Sequence, residues 1–191
     1  MGKDQYRFGA KSSHQPGTRA ATERSIIDSQ SVKTSEGGEE RGVDVHKQVP
    51  GRKRHIIVDT LGLLLLVLVH RASIPDGNGG KLVLAGLFER IKHSVYNRWC
   101  RFKLIWADGA YEDIRVWVKK QFGWRLEVVH RPPNAKGFQI LPRRWVVERT
   151  FGWFGRYRRL ARDYEHQTRS SESMVYVASI HRMLRLLSCK T

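Results

Sequence analysis

The amino-acid sequence predicts an α/β fold in which a mixed sheet is flanked by helices. Two patterns carry that expectation: β-rich runs fill the first third of the chain, and beyond it apolar residues at helical spacing alternate with short strands. Its 191 residues suit one hydrophobic core rather than two domains with a linker. Lys and Arg total 35 against 18 Asp and Glu, a formal charge of +17, so the surface attracts polyanions and repels other copies of itself.

Residues 1–24 are polar, rich in Gly, Ser, Lys and Gln, and lack an apolar period, so they read as a disordered tail preceding a domain over 25–191. Ser25-Ile26-Ile27-Asp28-Ser29 reads as a short strand that brings a carboxylate to its end. Residues 35–50, with Gly37, Gly38 and Gly42, read as a loop. Two β-rich runs, 54–58 and 63–70, joined by Asp59-Thr60-Leu61-Gly62, predict a hairpin. Pro75, Gly77, Gly79 and Gly80 break the chain, and the spacing of Leu82, Leu84, Ala85, Leu87, Phe88 and Ile91 predicts a helix over 81–93. A strand from Phe102 stops at Asp108-Gly109, a helix over 113–122 ends at Gly123, and a strand over 126–129 is stopped by Pro132-Pro133. Pro142 starts a helix to about Tyr157, and a carboxy-terminal helix after Ser170-Ser171 presents Met174, Val177, Ile180, Leu184 and Leu187 as its apolar face.

Several function classes are excluded at this stage. Cys100 and Cys189 lie far apart and belong to no His/Cys cluster, which argues against a disulfide scaffold or a zinc site and fits a reducing cytoplasm. The longest apolar run, Leu61 to Val69, is less than half of a bilayer span, and no leader with a cleavage site opens the chain, so no membrane partner is expected.

Three strands followed by alternating helices and strands is the element order of a ribonuclease H-like core. Asp28 on the first strand, Asp108 after the fourth and Glu148 on the helix after the last would then meet at one sheet edge. Converging carboxylates raise one another's pKa and need cations among them. Mg²⁺ prefers hard oxygen ligands, and three acids can hold two such ions about 4 Å apart, one activating the attacking oxygen and one stabilising the leaving oxygen of a phosphodiester. Taken singly, each acid has a simpler explanation: Asp28-Ser29 as an Asx turn, Asp108-Gly109 as a common turn dipeptide, Glu148 as one residue of a charged helix. Their joint order favours the chemical reading.

Five blocks sharpen it: Ile26-Ile27-Asp28-Ser29-Gln30-Ser31-Val32-Lys33-Thr34, Gly51-Arg52-Lys53-Arg54-His55, Val58-Asp59-Thr60-Leu61-Gly62, Trp106-Ala107-Asp108-Gly109-Ala110-Tyr111, and Leu141 through Phe151. In this order they resemble the blocks of bacterial insertion-sequence DDE transposases of the insertion-sequence-five group. The resemblance implies Asp28, Asp108 and Glu148 as catalytic and metal-binding residues, two Mg²⁺ or Mn²⁺ ions, cutting at transposon ends and strand transfer of the freed 3′-hydroxyl into target DNA. It further implies double-stranded DNA as partner, a homodimer in the active complex and a nucleoid-associated cytoplasmic location. Arg144, four residues before Glu148 and so on the same helix face, matches the arginine of the tyrosine-arginine-glutamate-lysine signature of related transposases, while Leu141 and Gly155 stand at its tyrosine and lysine positions. Relatives carry an amino-terminal DNA-recognition region, and the polar tail is too short to be one.

Arg52, Lys53 and Arg54 on the hairpin, and Arg143, Arg144, Arg149, Arg156, Arg158 and Arg159 on or after the last catalytic helix, are the expected phosphate contacts. His55, His70 and His130 read as core or edge residues, and Trp145, Phe151, Trp153 and Phe154 as core aromatics with base stacking as the rarer alternative. Two other readings stand beside the enzyme: a catalytically silent transposase remnant that only binds DNA, and a basic RNA-binding protein.

Overall fold

A computed structural model describes residues 23–35, 37–93, 102–130 and 141–188. Most of the expected tail, the Pro132-Pro133 stop and both cysteines lie outside the described residues. Strands β1 (Arg24–Lys33), β2 (Gly42–Asp44), β3 (Val49–Asp59) and β4 (Leu64–Arg71) are followed by helix α1 (Asp76–Lys92) and strand β5 (Leu104–Ala107). A 3₁₀ turn (Gly109–Ile114) then leads to α2 (Arg115–Phe122), β6 (Arg125–Val128), α3 (Pro142–Phe154), α4 (Arg158–Ala161) and α5 (Thr168–Ser188).

β3 pairs antiparallel with β1 on one edge and with β4 and β2 on the other, while β5 and β6 continue from β1 in parallel. The result is a mixed sheet flanked by helices, consistent with the expected ribonuclease H-like arrangement. Alternation along each strand feeds two cores. Ile27, Ile57 and Ile105 pack under α1 and α2 with Leu84, Tyr111 and Ile114. Ile26, Ile56 and Val67 pack under α3 and α5 with Val147, Phe151 and Val175. Each such fully buried aliphatic side chain contributes roughly 1.5–3 kcal/mol.

The structure departs from expectation in four places. β1 does not end at Asp28 but runs to Lys33, because Gln30 to Lys33 find partners in Arg54 to Gly51 of β3. The Gly-rich loop contains β2. Helix α1 begins at Asp76, so Gly77, Gly79 and Gly80 are helical rather than chain breakers. They allow close packing: a Cβ on Gly79 would lie 2.4 Å from His55 Cε1, and one on Gly80 would lie 2.8 Å from the Tyr111 ring.

The fourth departure is the face of α5, whose Val177, Ile180, Leu184 and Leu187 are exposed. The helix instead buries Ser171, Val175, Ala178 and Ser179. β4 is an edge strand with free backbone donors, and α5 supplies acceptors: Val69 N donates to Glu172 (2.9 Å) and Val67 N to the Tyr176 hydroxyl (3.4 Å). Satisfying that edge with small residues at the contact outweighs burial of the larger apolar stripe.

Candidate active site

β1 carries Asp28 in the middle of its length, opposite Ile56 of β3. Its other edge pairs with β5 only as far as Ile26 and Trp106, so the two parallel strands part just before Asp28 and Asp108. Asp108 begins the 3₁₀ turn and caps it by accepting from Ala110 N at 2.9 Å. Glu148 lies on α3, which packs over β1.

Arg144 ties these elements together. Its Nη2 lies 3.7 Å from the Asp108 carboxylate and 3.5 Å from that of Glu148. Asp28 is half-buried and its carboxyl is pushed up to about 7. Burial is the main cause, the Ser29 N–H opposes it, the negative charge of Asp108 adds to it, and Arg144 and Lys47 pull the other way. The Arg144 guanidinium thus lies between the carboxylates of Asp108 and Glu148, and Asp28 feels the charge of Asp108 and of Arg144.

The donor types suit a hard divalent cation: three carboxylates, one raised above its ordinary range chiefly by burial. Among the described residues, however, no three Asp, Glu, His or Cys side chains stand close enough together to form a metal-binding group.

The expected phosphate contacts divide. Arg52, Lys53 and Arg54 are buried, which corrects the expectation that they meet DNA. Arg52 donates to the carbonyls of Glu39, Glu165 and His166 and pairs with Asp163, and Arg54 donates to the Leu160 carbonyl. Lys53 pairs with Asp76 at 2.9 Å and Asp44 at 3.4 Å. Inward register on β3 and carbonyls waiting there fix all three, a tertiary fact that the run Arg-Lys-Arg conceals. Arg143, Arg156, Arg158 and Arg159 are exposed, and Arg149 lies partly buried over the Trp153 ring.

His55 and His70 stack and share a 2.8 Å hydrogen bond beneath α1, as core histidines, whereas His130 is exposed. Phe151 and Phe154 are core residues, Trp145 is exposed, and Trp153 is flanked by Arg149 and Arg182. Sequence reading missed Lys47, whose charge acts on Asp28 from the exposed turn after β2. Nothing in a Gly-rich loop distinguishes that lysine from its neighbours.

The sequence profile of a family described as transposase DDE domain matches residues 19–183, nearly the whole chain. No curated protein and no solved structure matches it.

Proposed function

Because the chain belongs to the transposase DDE domain family, we propose that it is the catalytic domain of an insertion-sequence-five-group transposase, cutting DNA at transposon ends and joining them to target DNA. The observation that supports the reading is Arg144 lying within 4 Å of both Asp108 and Glu148, with Asp28 in the field of Asp108, although the three acids lie far apart in the chain. Transposases of this family act on DNA and generally use divalent metal ions.

Asp28, Asp108 and Glu148 would hold two Mg²⁺ or Mn²⁺ ions, which when bound supply Lewis-acid stabilisation of an in-line displacement at phosphorus. The chain's own residues set the stage for it. Asp108, fixed by its cap on Ala110, and Glu148, fixed on α3, present their oxygens from rigid elements. In the first step water forms a bond to phosphorus and the P–O3′ bond breaks, leaving a free 3′-hydroxyl. In the second that oxygen attacks a target phosphodiester, whose own 3′ oxygen departs.

Arg144, beside Asp108 and Glu148, would hold a phosphate oxygen of the bound DNA. Arg143, Arg149, Arg156, Arg158 and Arg159 extend that contact along the backbone, fixing position rather than sequence. Two copies would act together on two ends. No helix among the described residues is long and apolar enough to cross a membrane, and the reading places the protein with the nucleoid.

A nicking assay on duplex DNA carrying terminal repeats tests the proposal. Cleavage should require Mg²⁺ or Mn²⁺ and fall by three orders of magnitude in Asp108→Asn, about 4 kcal/mol in barrier. Equal cleavage by that variant refutes the assignment of the acids. Salt-sensitive DNA binding without any cleavage would instead identify a silent remnant, the reading favoured if Arg144 never leaves the carboxylates.

A further inference from the structure

We propose that the turn between β2 and β3, residues 45–48, is a phosphate-holding arm of the candidate active site, in which the Lys47 ammonium grips the backbone of the DNA strand lying over Asp28. The inference rests on the DNA-cutting reading above.

The arm is anchored beside the strand that carries Asp28. Asp44, buried at the end of β2, accepts a 2.5 Å hydrogen bond from the Ser31 hydroxyl and a 3.2 Å bond from the Lys47 N–H. Ser31 lies on β1, three residues beyond Asp28. Lys53 Nζ lies 3.4 Å from the same carboxylate. The turn is thus tied through Asp44 to β1 and β3 rather than free to swing.

Its backbone is shaped as well. Gln48 has φ 51°, a left-handed conformation that L side chains rarely adopt and that persists where surroundings enforce it, often at functional sites. Gly51 has φ 152°, and a Cβ there would stand 2.1 Å from the Val32 carbonyl and 2.8 Å from Thr34 N. β3 presses against the end of β1 at that glycine, and this close approach sets where the turn leaves the sheet.

The tip is held yet bare. Val45 is 79% exposed, Lys47 is exposed, and the Lys47 ammonium has no ion-pair partner among the described residues. Its field reaches the Asp28 carboxyl. In the neighbouring run Arg52-Lys53-Arg54 every cation is buried against carbonyls or carboxylates. A compact ammonium on a flexible stem, beside an acidic centre and without an acid of its own, suits a phosphate and reads no base. Val45 beside it offers an apolar contact for the sugar.

The experiment measures affinity of the full chain for a short duplex across salt concentrations, together with nicking, in the unaltered protein, Lys47→Gln, Lys47→Arg and Lys92→Gln. Lys92 is an exposed lysine at the end of α1. Lys47→Gln should lower the slope of log affinity against log salt by about 0.9, the share of one phosphate, and cut nicking at least tenfold at subsaturating DNA, with an unchanged melting temperature. Lys47→Arg should restore both, and Lys92→Gln should alter neither. A slope for Lys47→Gln equal to that of the unaltered chain overturns the arm while leaving the enzyme reading in place. Failure of the unaltered chain to bind DNA removes the enzyme reading and the arm together.

Discussion

Two groups of carboxylates near β1 differ in how their charge is balanced. Asp44 at the end of β2 and Asp76 at the start of α1 face Lys53 and the hydroxyls of Ser31 and Ser29. Burial alone would raise the Asp44 pKa, but the Ser31 hydroxyl, the Lys47 N–H and Lys53 outweigh it and bring it down to about 2. At the opened edge of the sheet, burial and Asp108 lift Asp28 to about 7, and a single guanidinium serves Asp108 and Glu148. The first group is complete as it stands. The second has an excess of negative charge, the condition expected where a further cation is to be taken up.

The sharpest way to break the comparison is to remove the cation from the closed group. Lys53→Ala leaves two buried or half-buried carboxylates unpaired and should cost about 3–5 kcal/mol, read as a lower urea midpoint. A loss under 1 kcal/mol would show that the closed group is not held by that lysine.

Next comes the seam that lets α1 cover the group. Gly79→Ala places a methyl 2.4 Å from His55 and 2.6 Å from His70 and should destabilise by about 2–3 kcal/mol. On the open side, Gly152→Ala in α3 meets nothing within 4 Å and should stabilise by about 0.5–1 kcal/mol. Equal responses at the two glycines would erase the distinction in packing.

Proton linkage separates the sides by sign. Burial, then the neighbouring His70, pulls the His55 pKa down to about 3 from 6.5. The neutral ring is therefore favoured in the folded state, and the stability it contributes is present above pH 6.5 and lost as pH falls from there towards 3. Between pH 7 and 5 this contribution should fall by about 2 kcal/mol, read as the difference in unfolding free energy between the unaltered chain and one with both histidines replaced by Gln, since Asp28 titrates in the opposite sense over the same range.

Asp28 works the other way. Its raised pKa favours the protonated form in the folded protein, so the metal-free chain loses stability as pH rises from about 3.8 through about 7. Asp28→Asn should raise the melting temperature at pH 8 by a few degrees, the response of a chain this size to about 1 kcal/mol, with the gap closing below pH 4. A lower melting temperature at pH 8 would contradict the excess of charge at the site.

Much of this was legible in one dimension. Alternation at Ile26-Ile27 and Ile56-Ile57, the turn at Gly62 and the stop at Gly123 are local signals, and they placed β4, β5, β6 and α2 within two residues, while β1 and β3 run four or five residues past their expected ends where cross-strand partners extend them. The order of the three acids was equally visible, because each sits at a recognisable element boundary or block. Properties depending on what lies across the sheet were hidden. Arg52, Lys53 and Arg54 look like a basic patch until their carbonyl partners, more than a hundred residues away for Arg52 and Arg54, are known. The glycines of α1 look like breakers until His55, His70 and Tyr111 are seen against them. The stripe on α5 looks like a core face until the free edge of β4 competes for the helix.

Arg144 carries a consequence of its own. By lying 3.5–3.7 Å from Glu148 and Asp108, it acts as a resident counterion, so the acids can coexist before any metal arrives. The polypeptide should consequently fold and keep its shape in the presence of a chelator, with integrity and competence governed separately: emptying the centre would silence it without loosening the scaffold.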